Sequence, residues 1–212
     1  MGREFLELFE QWADSYDETV IGQDIEYREV FLNYEKILES VASRSFGHVI
    51  EFGVGTGNLT KKLKERGLKI TGIEPSPSMR EIAKEKLGES IVILDGDFLH
   101  FPEFKNVDTY VSTYAFHHLT DAEKALAIAY YGSTLSIGGK IVFADTMYGS
   151  EEEYNNAINE AKEKRFYNLA KDLETEYYTT IPILKKILEE NNFIVSFTRY
   201  NDFVWLMEGV KI

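Results

Sequence analysis

The sequence predicts an α/β fold, built as a mostly parallel sheet with flanking helices. Five short apolar runs, typical of buried strands, alternate with segments of helical periodicity. Two more strand-like runs near the carboxyl end flank the turn pair Asn201-Asp202, which predicts a closing antiparallel hairpin. The sheet should therefore have seven strands. The five early runs are HVIEF, LKITGI, SIVIL, DTYVST and KIVFAD.

Capping patterns indicate where the helices between these strands begin and end. Gly67 is expected to close a helix that begins near Asn58, and Ser76, followed by proline, is expected to cap the next helix. Thr120 with Glu123 predicts a capping box at the start of a third helix. Each of these helices follows a strand, as a parallel sheet requires.

Longer helical patterns lie outside this central region. Apolar residues recur at helical spacing over 5–16 and again over 27–41, so we expect two amphipathic helices before the first strand. A capping box at Ser150 predicts one long helix that continues to Leu173. A last helix is expected over about 181–190.

Composition excludes several classes of protein. The chain of 212 residues has no cysteine, which rules out disulfides, thiolate metal sites and a cysteine nucleophile. A formal charge of −13 should repel nucleic acid and anionic lipid, and the basic run KKLKER at 61–66 is expected to be a solvated helix face. Because the sequence shows neither a leader pattern nor a long apolar stretch, we expect a cytoplasmic protein without a membrane partner.

The stretch VIEFGVGTGNLT, at 49–60, places Gly53, Gly55 and Gly57 directly after the first predicted strand. The close backbone approach and the helix-terminal N–H groups at such a turn favour a nucleotide-like ligand. A nicotinamide dinucleotide is less favoured, because the glycines are spaced two apart and Asn58 stands at the sixth position of the fingerprint. Glu74 ends the second strand, where a carboxylate can accept hydrogen bonds from ribose hydroxyls.

Several motifs together resemble those of a known family. VIEFGVGTG, ITGIEPSPSM, LDGDF and LSIGGKIVFADT resemble, in this order, motifs of the class I S-adenosylmethionine-dependent methyltransferases. YVSTYAFHHLTDAEK is similar to the fourth-strand region of the small-molecule branch. The whole pattern is similar to a bacterial methyltransferase group without an assigned substrate. This resemblance implies a Rossmann-like sheet and methyl transfer from S-adenosyl-L-methionine to a small acceptor.

The resemblance also implies roles for single residues in binding the cofactor. The three glycines would admit the methionyl part, with Glu51 bracing their loop, and Glu74 would hold the ribose. Asp97 would accept from the adenine amine, and the Phe98 backbone N–H would meet a ring nitrogen. The segment FEQWADSYD is similar to the family's lid, in which the Tyr16 hydroxyl would meet the cofactor carboxylate; Phe9 and Trp12 share its face.

No catalytic residue follows from the sequence. His117, His118 and Asp145 lie near the carboxyl ends of strands four and five and are candidate bases, although both histidines also suit hydrogen bonding at a helix entry. No metal site is expected, because adjacent histidines do not share a helix face. Aromatic residues are expected to supply an apolar acceptor pocket and part of the core: Tyr114, Phe116, Tyr148, Phe166, Tyr177, Tyr178, Phe203 and Trp205.

We expect one domain over 1–212. Its parts are a helical lid and cover at 1–45, a cofactor-binding core at 46–146, and a helical cover with the hairpin at 147–212. Two alternatives stay open: a module that binds S-adenosylmethionine without transferring methyl, and a nicotinamide-dependent oxidoreductase. The acceptor and the oligomeric state cannot be read from the sequence.

Overall fold

A computed structural model describes residues 16–20, 22–88 and 90–212, so the predicted helix over 5–16, with Phe9, Trp12 and the side chain of Tyr16, lies outside the described residues. The strands are β1 His48–Phe52, β2 Lys69–Ile73, β3 Val92–Leu94, β4 Thr109–Thr113, β5 Lys140–Tyr148, β6 Thr179–Thr180, β7 Phe193–Arg199 and β8 Val204–Lys211. Every predicted strand is present.

The sheet has the order β3-β2-β1-β4-β5-β8-β7, and the two-residue strand β6 pairs with β5 beside it. Strands β1 to β5 are parallel neighbours, whereas β8 runs antiparallel to both β5 and β7. The predicted α/β class and the closing hairpin are thus confirmed. The seven predicted strands form the continuous path, and the short β6 was missed.

The described helices cover both faces of this sheet. They are α1 Tyr16–Val20, α2 Tyr34–Arg44, α3 Asn58–Glu65, α4 Pro77–Leu87, α5 Asp121–Thr134, α6 Glu151–Glu163, α7 Tyr167–Thr175 and α8 Ile181–Glu190. One apolar cluster joins α2, α3 and α7 to one face of the sheet, and a second joins α5 and α8 to the other. Each crossover helix therefore buries one apolar stripe against the strands.

The predicted caps at Ser76, Thr120 and Gly67 are present, whereas Ser150 caps its helix without the reciprocal contact of a capping box, because the Glu153 side chain accepts from the Gly149 N–H. The Ser76 hydroxyl accepts from the Met79 N–H at 3.3 Å, and Thr120 and Glu123 cap each other reciprocally. Gly67, two residues beyond the end of α3, has a φ of +71°. A left-handed residue after a helix is easily supplied by glycine, which explains why this helix ends where the sequence indicates.

The single helix predicted over 27–41 is wrong in its first half. Residues 25–33 form turns, and α2 begins only at Tyr34. Asn33 has a φ of +69°, a left-handed conformation that cannot continue a helix. Tyr27, Val30 and Phe31 are nevertheless buried, so their apolar character reflects packing and not helical periodicity.

The long helix predicted from Ser150 to Leu173 is also wrong, because it is two helices. The helix α6 ends at Glu163 and α7 begins at Tyr167, with Arg165 between them at a φ of +61°. Both helices keep their apolar residues on the same cluster. The chain therefore turns without changing which face it buries, which is why the apolar spacing looks continuous.

The carboxyl ends of β1, β2, β4 and β5 lie side by side at one edge of the sheet. Phe52 pairs with Ile73 on one side and Ser112 on the other, and Thr113 pairs with Ala144. Ligands bind at this edge in open α/β sheets. Within the part of the chain that the structure describes, no helix combines the length and apolar character needed to cross a bilayer.

Candidate functional site

The glycine loop lies at this edge, between β1 and α3, and all three of its glycines have positive φ. A Cβ on Gly53 would stand 2.6 Å from the Cβ of Ala115, and one on Gly57 would stand 2.8 Å from the Leu87 side chain. A Cβ on Gly55 would meet nothing within 4 Å. Gly53 and Gly57 are therefore required by packing, and Gly55 borders the open space where a ligand can approach the backbone.

Glu74 follows β2 and fastens this loop to its neighbour. One carboxylate oxygen accepts from the Gly55 N–H at 2.8 Å, and the other accepts from the Ser76 N–H at 2.9 Å. Burial raises the pKa of Glu74, and the two N–H groups oppose that shift. The structure thus brings Glu74 and the glycine loop together, and the ribose role of Glu74 stays a prediction.

Glu51 stands one residue before the end of β1 and is almost fully buried. Its carboxyl accepts from the Thr60 hydroxyl at 2.7 Å, which links β1 to α3. Burial raises the pKa of Glu51 to about 8, with a further contribution from the nearby Glu74. Glu51 is therefore mostly protonated at neutral pH, and it braces the strand against the helix.

Asp97 and Phe98 follow β3, next to the same edge. One oxygen of Asp97 accepts from the N–H groups of Leu99 and His100, both at 2.9 Å. The carboxylate therefore stabilises the turn that follows it in the chain. The Phe98 ring packs on Phe52 at 5.1 Å between centroids, and its side chain is buried. Of Phe98, therefore, the backbone and not the side chain is suited to contact a ligand.

Asp17, which no motif in the sequence indicates, ties α1 to the glycine loop. Its carboxylate accepts from the Thr56 hydroxyl at 2.7 Å, from the Asn58 amide at 2.9 Å and from the Lys86 ammonium at 2.8 Å. Because Asp17 directly follows Tyr16, α1 begins close to the loop. An acid in an amphipathic segment gives no sign in the sequence of such a distant contact.

A second group of polar side chains lies where β4 and β5 end. The Nδ1 atom of His117 is 2.6 Å from Asp145, and its Nε2 atom is 3.1 Å from Glu176. The other oxygen of Asp145 accepts from the His117 backbone N–H at 3.0 Å. His117 is thus held between two carboxylates.

Charge determines what these residues can do. Burial alone would lower the pKa of His117, but Asp145 and Glu176 raise it to about 10. Burial and the neighbouring His117 lower the pKa of His118 to about 3. Although burial opposes the shift, His117 lowers the pKa of Asp145 and lowers that of Glu176 to about 2. The three candidate bases are therefore gathered, but both nitrogens of His117 are engaged by carboxylates, which favour its protonated form.

Glu176 was missed because its role depends on a docked segment far along the chain. The Tyr177 N–H donates to the His117 carbonyl at 3.0 Å, and the Lys124 ammonium donates to the Tyr177 carbonyl at 2.6 Å. The next residues form β6 against the end of β5. The segment after α7 is thus fixed across the edge of the sheet.

The predicted aromatic residues lie in different parts of the molecule, and Tyr148 and Phe203 belong to the core as well as to a cleft. Phe116 is buried under α5 and α8, and Trp205 packs against the same cluster. Tyr148, Phe166 and Phe203 line a cleft of about 400 Å³ between α6, α7 and the turn that follows β7. The rings of the predicted set therefore do not form one pocket.

Comparison with known proteins gives the family. A model of the methyltransferase domain matches residues 50–143. An uncharacterized methyltransferase of Geobacillus sp. is 60% identical over 212 residues, which is 100% of each chain. An uncharacterized methyltransferase of Bacillus cytotoxicus is 58% identical over 211 residues, again 100% of each chain.

Solved structures share the fold at low identity. Magnesium protoporphyrin IX methyltransferase from Synechocystis, with bound SAH, is 16% identical with a TM-score of 0.71, over 99% of this chain and 98% of that one. A possible histamine N-methyltransferase from Thermotoga maritima is 20% identical with a TM-score of 0.70, over 98% of this chain and 100% of that one. The predicted fold and family are confirmed, and the chain belongs to a family of bacterial methyltransferases.

Proposed function

We propose that this protein binds S-adenosylmethionine at the glycine loop and transfers its methyl group to a small acceptor molecule. The observation that carries the proposal is the Glu74 carboxylate, which Gly55 and Ser76 fasten beside the open side of the loop. A buried carboxylate held by two N–H groups keeps further lone pairs for ribose hydroxyls. The relatives and the bound SAH of the Synechocystis enzyme support the same ligand.

The other proposed contacts with the cofactor come from residues at the same carboxyl edge of the sheet. Gly53 and Gly55 would let the backbone approach the methionyl part, and Gly57 would start α3 beneath it. Asp97 would accept from the adenine amine, and the Phe98 N–H would donate to a ring nitrogen. The Tyr16 hydroxyl would meet the cofactor carboxylate from α1, which Asp17 fastens to the loop.

When bound, S-adenosylmethionine supplies a methyl carbon activated by its sulfonium, so the acceptor's lone pair forms the new bond as the carbon–sulfur bond breaks onto sulfur. The chain must align the acceptor and exclude water. Both nitrogens of His117 are engaged by carboxylates, so we assign it the role of a positioning residue. His117 would hold Glu176 and the segment after α7 in place over the edge of the sheet.

Calorimetry tests the cofactor, with NAD as the comparison ligand. Glu74→Gln removes the charge and keeps the shape, and losing a charged hydrogen-bonding partner typically costs about 1.5 to 3 kcal/mol. We expect this variant to weaken binding of S-adenosylmethionine at least about tenfold. Glu85→Gln, on the exposed side of α4, is the matched control. Equal affinities in the wild type and in Glu74→Gln, both natively folded, would contradict the assignment of the site.

Turnover separates an enzyme from a module that only binds the cofactor. The protein is incubated with methyl-labelled S-adenosylmethionine and a metabolite extract, and labelled small molecules are identified by mass spectrometry. We expect at least one labelled product, absent when the extract is omitted. Binding without any labelled product across fractionated extracts would favour the binding module.

A further inference from the structure

Three side chains that commonly bind metal ions converge near the ends of β4 and β5. One ligand atom from each of His117, His118 and Glu176 lies within 4.8 Å of the other two. The two histidines follow one another in the short 3₁₀ turn Phe116–His118, and their ring centroids are 4.1 Å apart. Adjacent histidines on one helix would not predict a metal site, but here the third side chain comes from the segment after α7.

The distances within this group suit a metal ion. Zinc binds imidazole nitrogen and carboxylate oxygen at about 2.0 to 2.2 Å, so two ligand atoms in a tetrahedral site lie roughly 3.4 Å apart. The Nε2 atom of His117 and the nearer oxygen of Glu176 are separated by 3.1 Å. Small side-chain rotations would place an ion between them and His118.

The surroundings resemble the second layer of contacts around bound metals. A metal-binding histidine usually donates its other N–H to a carboxylate, which fixes the ring and its tautomer. The Nδ1 atom of His117 lies 2.6 Å from Asp145 in this way, leaving Nε2 directed toward Glu176. The Tyr178 hydroxyl donates to the same Glu176 oxygen at 2.9 Å and orients it.

Charge also favours a divalent ion. Asp145 and Glu176 bring two negative charges, and the buried Lys124 ammonium is offset by Asp121 at 3.5 Å. A proton on His117 would neutralise one of the two charges, whereas a divalent ion on neutral histidines neutralises both. Buried charges are stabilised only when they are balanced in this way.

We propose that His117, His118 and Glu176 bind one divalent transition-metal ion of the zinc type, with Asp145 positioning His117. Three protein ligands leave a fourth position for water or another small ligand. Both the His117 and the Glu176 side chains remain slightly exposed, at 11% and 7%, so the ion can reach them. The site lies outside the glycine loop and does not require the cofactor.

The test uses the full chain, stripped with a chelator and free of cofactor. Zinc chloride is titrated by calorimetry, and cobalt chloride by visible absorption, which reports four-coordinate geometry. We expect one tight equivalent of zinc per chain. Glu176→Gln should weaken that binding at least about tenfold, and Asp145→Asn about ten- to a hundredfold. Glu174→Gln, exposed two positions earlier in the chain and paired with Lys162, is the matched control.

Circular dichroism and thermal melts show that each variant is folded before titration. Stoichiometric zinc binding that Glu176→Gln reduces and Glu174→Gln leaves unchanged supports the site. Absence of a stoichiometric equivalent in the wild type, or undiminished binding in folded Glu176→Gln, overturns it and leaves His117 as an imidazolium between two carboxylates. Because these titrations contain no S-adenosylmethionine, their outcome is independent of the proposed methyl transfer.

Discussion

The two ends of the candidate site shift the pKa values of their buried carboxyl groups in opposite directions. Beside the glycine loop, burial raises the pKa of Glu51 to about 8 and also raises that of Glu74. Beside β5, burial acts in the same direction, but His117 lowers the pKa of Asp145 and brings that of Glu176 to about 2. All four groups are buried or nearly so, which means that their partners decide their charge.

This difference separates a half of the site in which Glu51 and Glu74 are held by uncharged hydrogen-bond donors from a half in which Asp145 and Glu176 are held by a histidine. Glu51 has a neutral hydroxyl as its side-chain partner, and Glu74 has backbone N–H groups. S-Adenosylmethionine carries a sulfonium and an ammonium, so it would bring cationic charge close to Glu51 and Glu74. Without a metal ion, the other half is a network of His117 and two carboxylates that fixes a segment in place.

The largest expected effect tests the charge state of Glu51. Because its pKa is higher in the folded protein than the ordinary 4.5, the free energy of unfolding should fall as pH rises from 4.5 to about 8. The total loss is on the order of 4 kcal/mol for a shift of this size. Glu51→Gln keeps an acceptor for Thr60 and should remove this slope. Urea unfolding of both proteins without cofactor, from pH 5 to pH 9, measures it.

The difference between the two pH profiles is the decisive quantity, since other groups titrate equally in both proteins. Glu51→Gln should be more stable than the wild type at pH 8 and nearly equal to it at pH 5. Parallel profiles would show that Glu51 is ionised at neutral pH, which would remove the contrast between the two halves.

The sequence predicted that the glycine loop, Glu74 and Asp97 lie at one edge of the sheet, because each of these parts is local. The glycine loop, Glu74 and Asp97 each follow a strand directly, so their position at the edge of the sheet follows from the order of the strands alone. The link from Asp17 to Thr56 and Asn58 could not be predicted, because it joins segments that meet only after the chain folds.

The other half was predicted only as separate candidates. His117 and Asp145 are 28 positions apart and were both named, but neither their contact nor their charge follows from a pattern. Glu176 was missed entirely, since it lies in no motif and its place depends on the break between α6 and α7 at Arg165. Apolar periodicity continues across that break, which is why the sequence could not reveal it.

The next largest effect concerns Gly53, where the two halves touch. A methyl group there would stand 2.6 Å from Ala115, on a backbone with a φ of +67°. Overpacking and a left-handed alanine together should cost about 3 kcal/mol of unfolding free energy in Gly53→Ala. Gly55→Ala introduces the backbone strain without the clash, so its free energy of unfolding should fall by only about 1 kcal/mol. The same substitution should weaken binding of the cofactor. Equal losses of stability in urea would contradict this division of roles.

A smaller effect is expected in the second half, from Lys124. Its buried ammonium donates to the carbonyls of Leu119 and Tyr177, which join the turn after β4 to the segment after α7. The free energy of unfolding of Lys124→Met should be about 2 kcal/mol lower than that of the wild type. The loss is no larger because the variant no longer buries a charge, which offsets part of the lost hydrogen bonds. Lys186→Met, on the exposed side of α8, is the control and should change little. A stable Lys124→Met protein would mean that β6 and its neighbours hold the segment without this contact.

The smallest expected effect tests whether α1 belongs to the cofactor half. Asp17 joins Thr56, Asn58 and Lys86, yet its side chain is 49% exposed, so each contact is weakened by solvent. Asp17→Asn removes the charge and keeps the shape, and we expect a loss of less than about 1 kcal/mol in cofactor binding, roughly two- to fivefold in affinity. Global stability should change less than affinity, because Asp17 is half-exposed and its contacts are with the glycine loop and Lys86. Calorimetry with S-adenosylmethionine, beside urea unfolding of the same variant and of the control Glu18→Gln, measures both. If affinity is unchanged while stability falls, Asp17 acts only in packing, and the N-terminal segment is not part of the cofactor site.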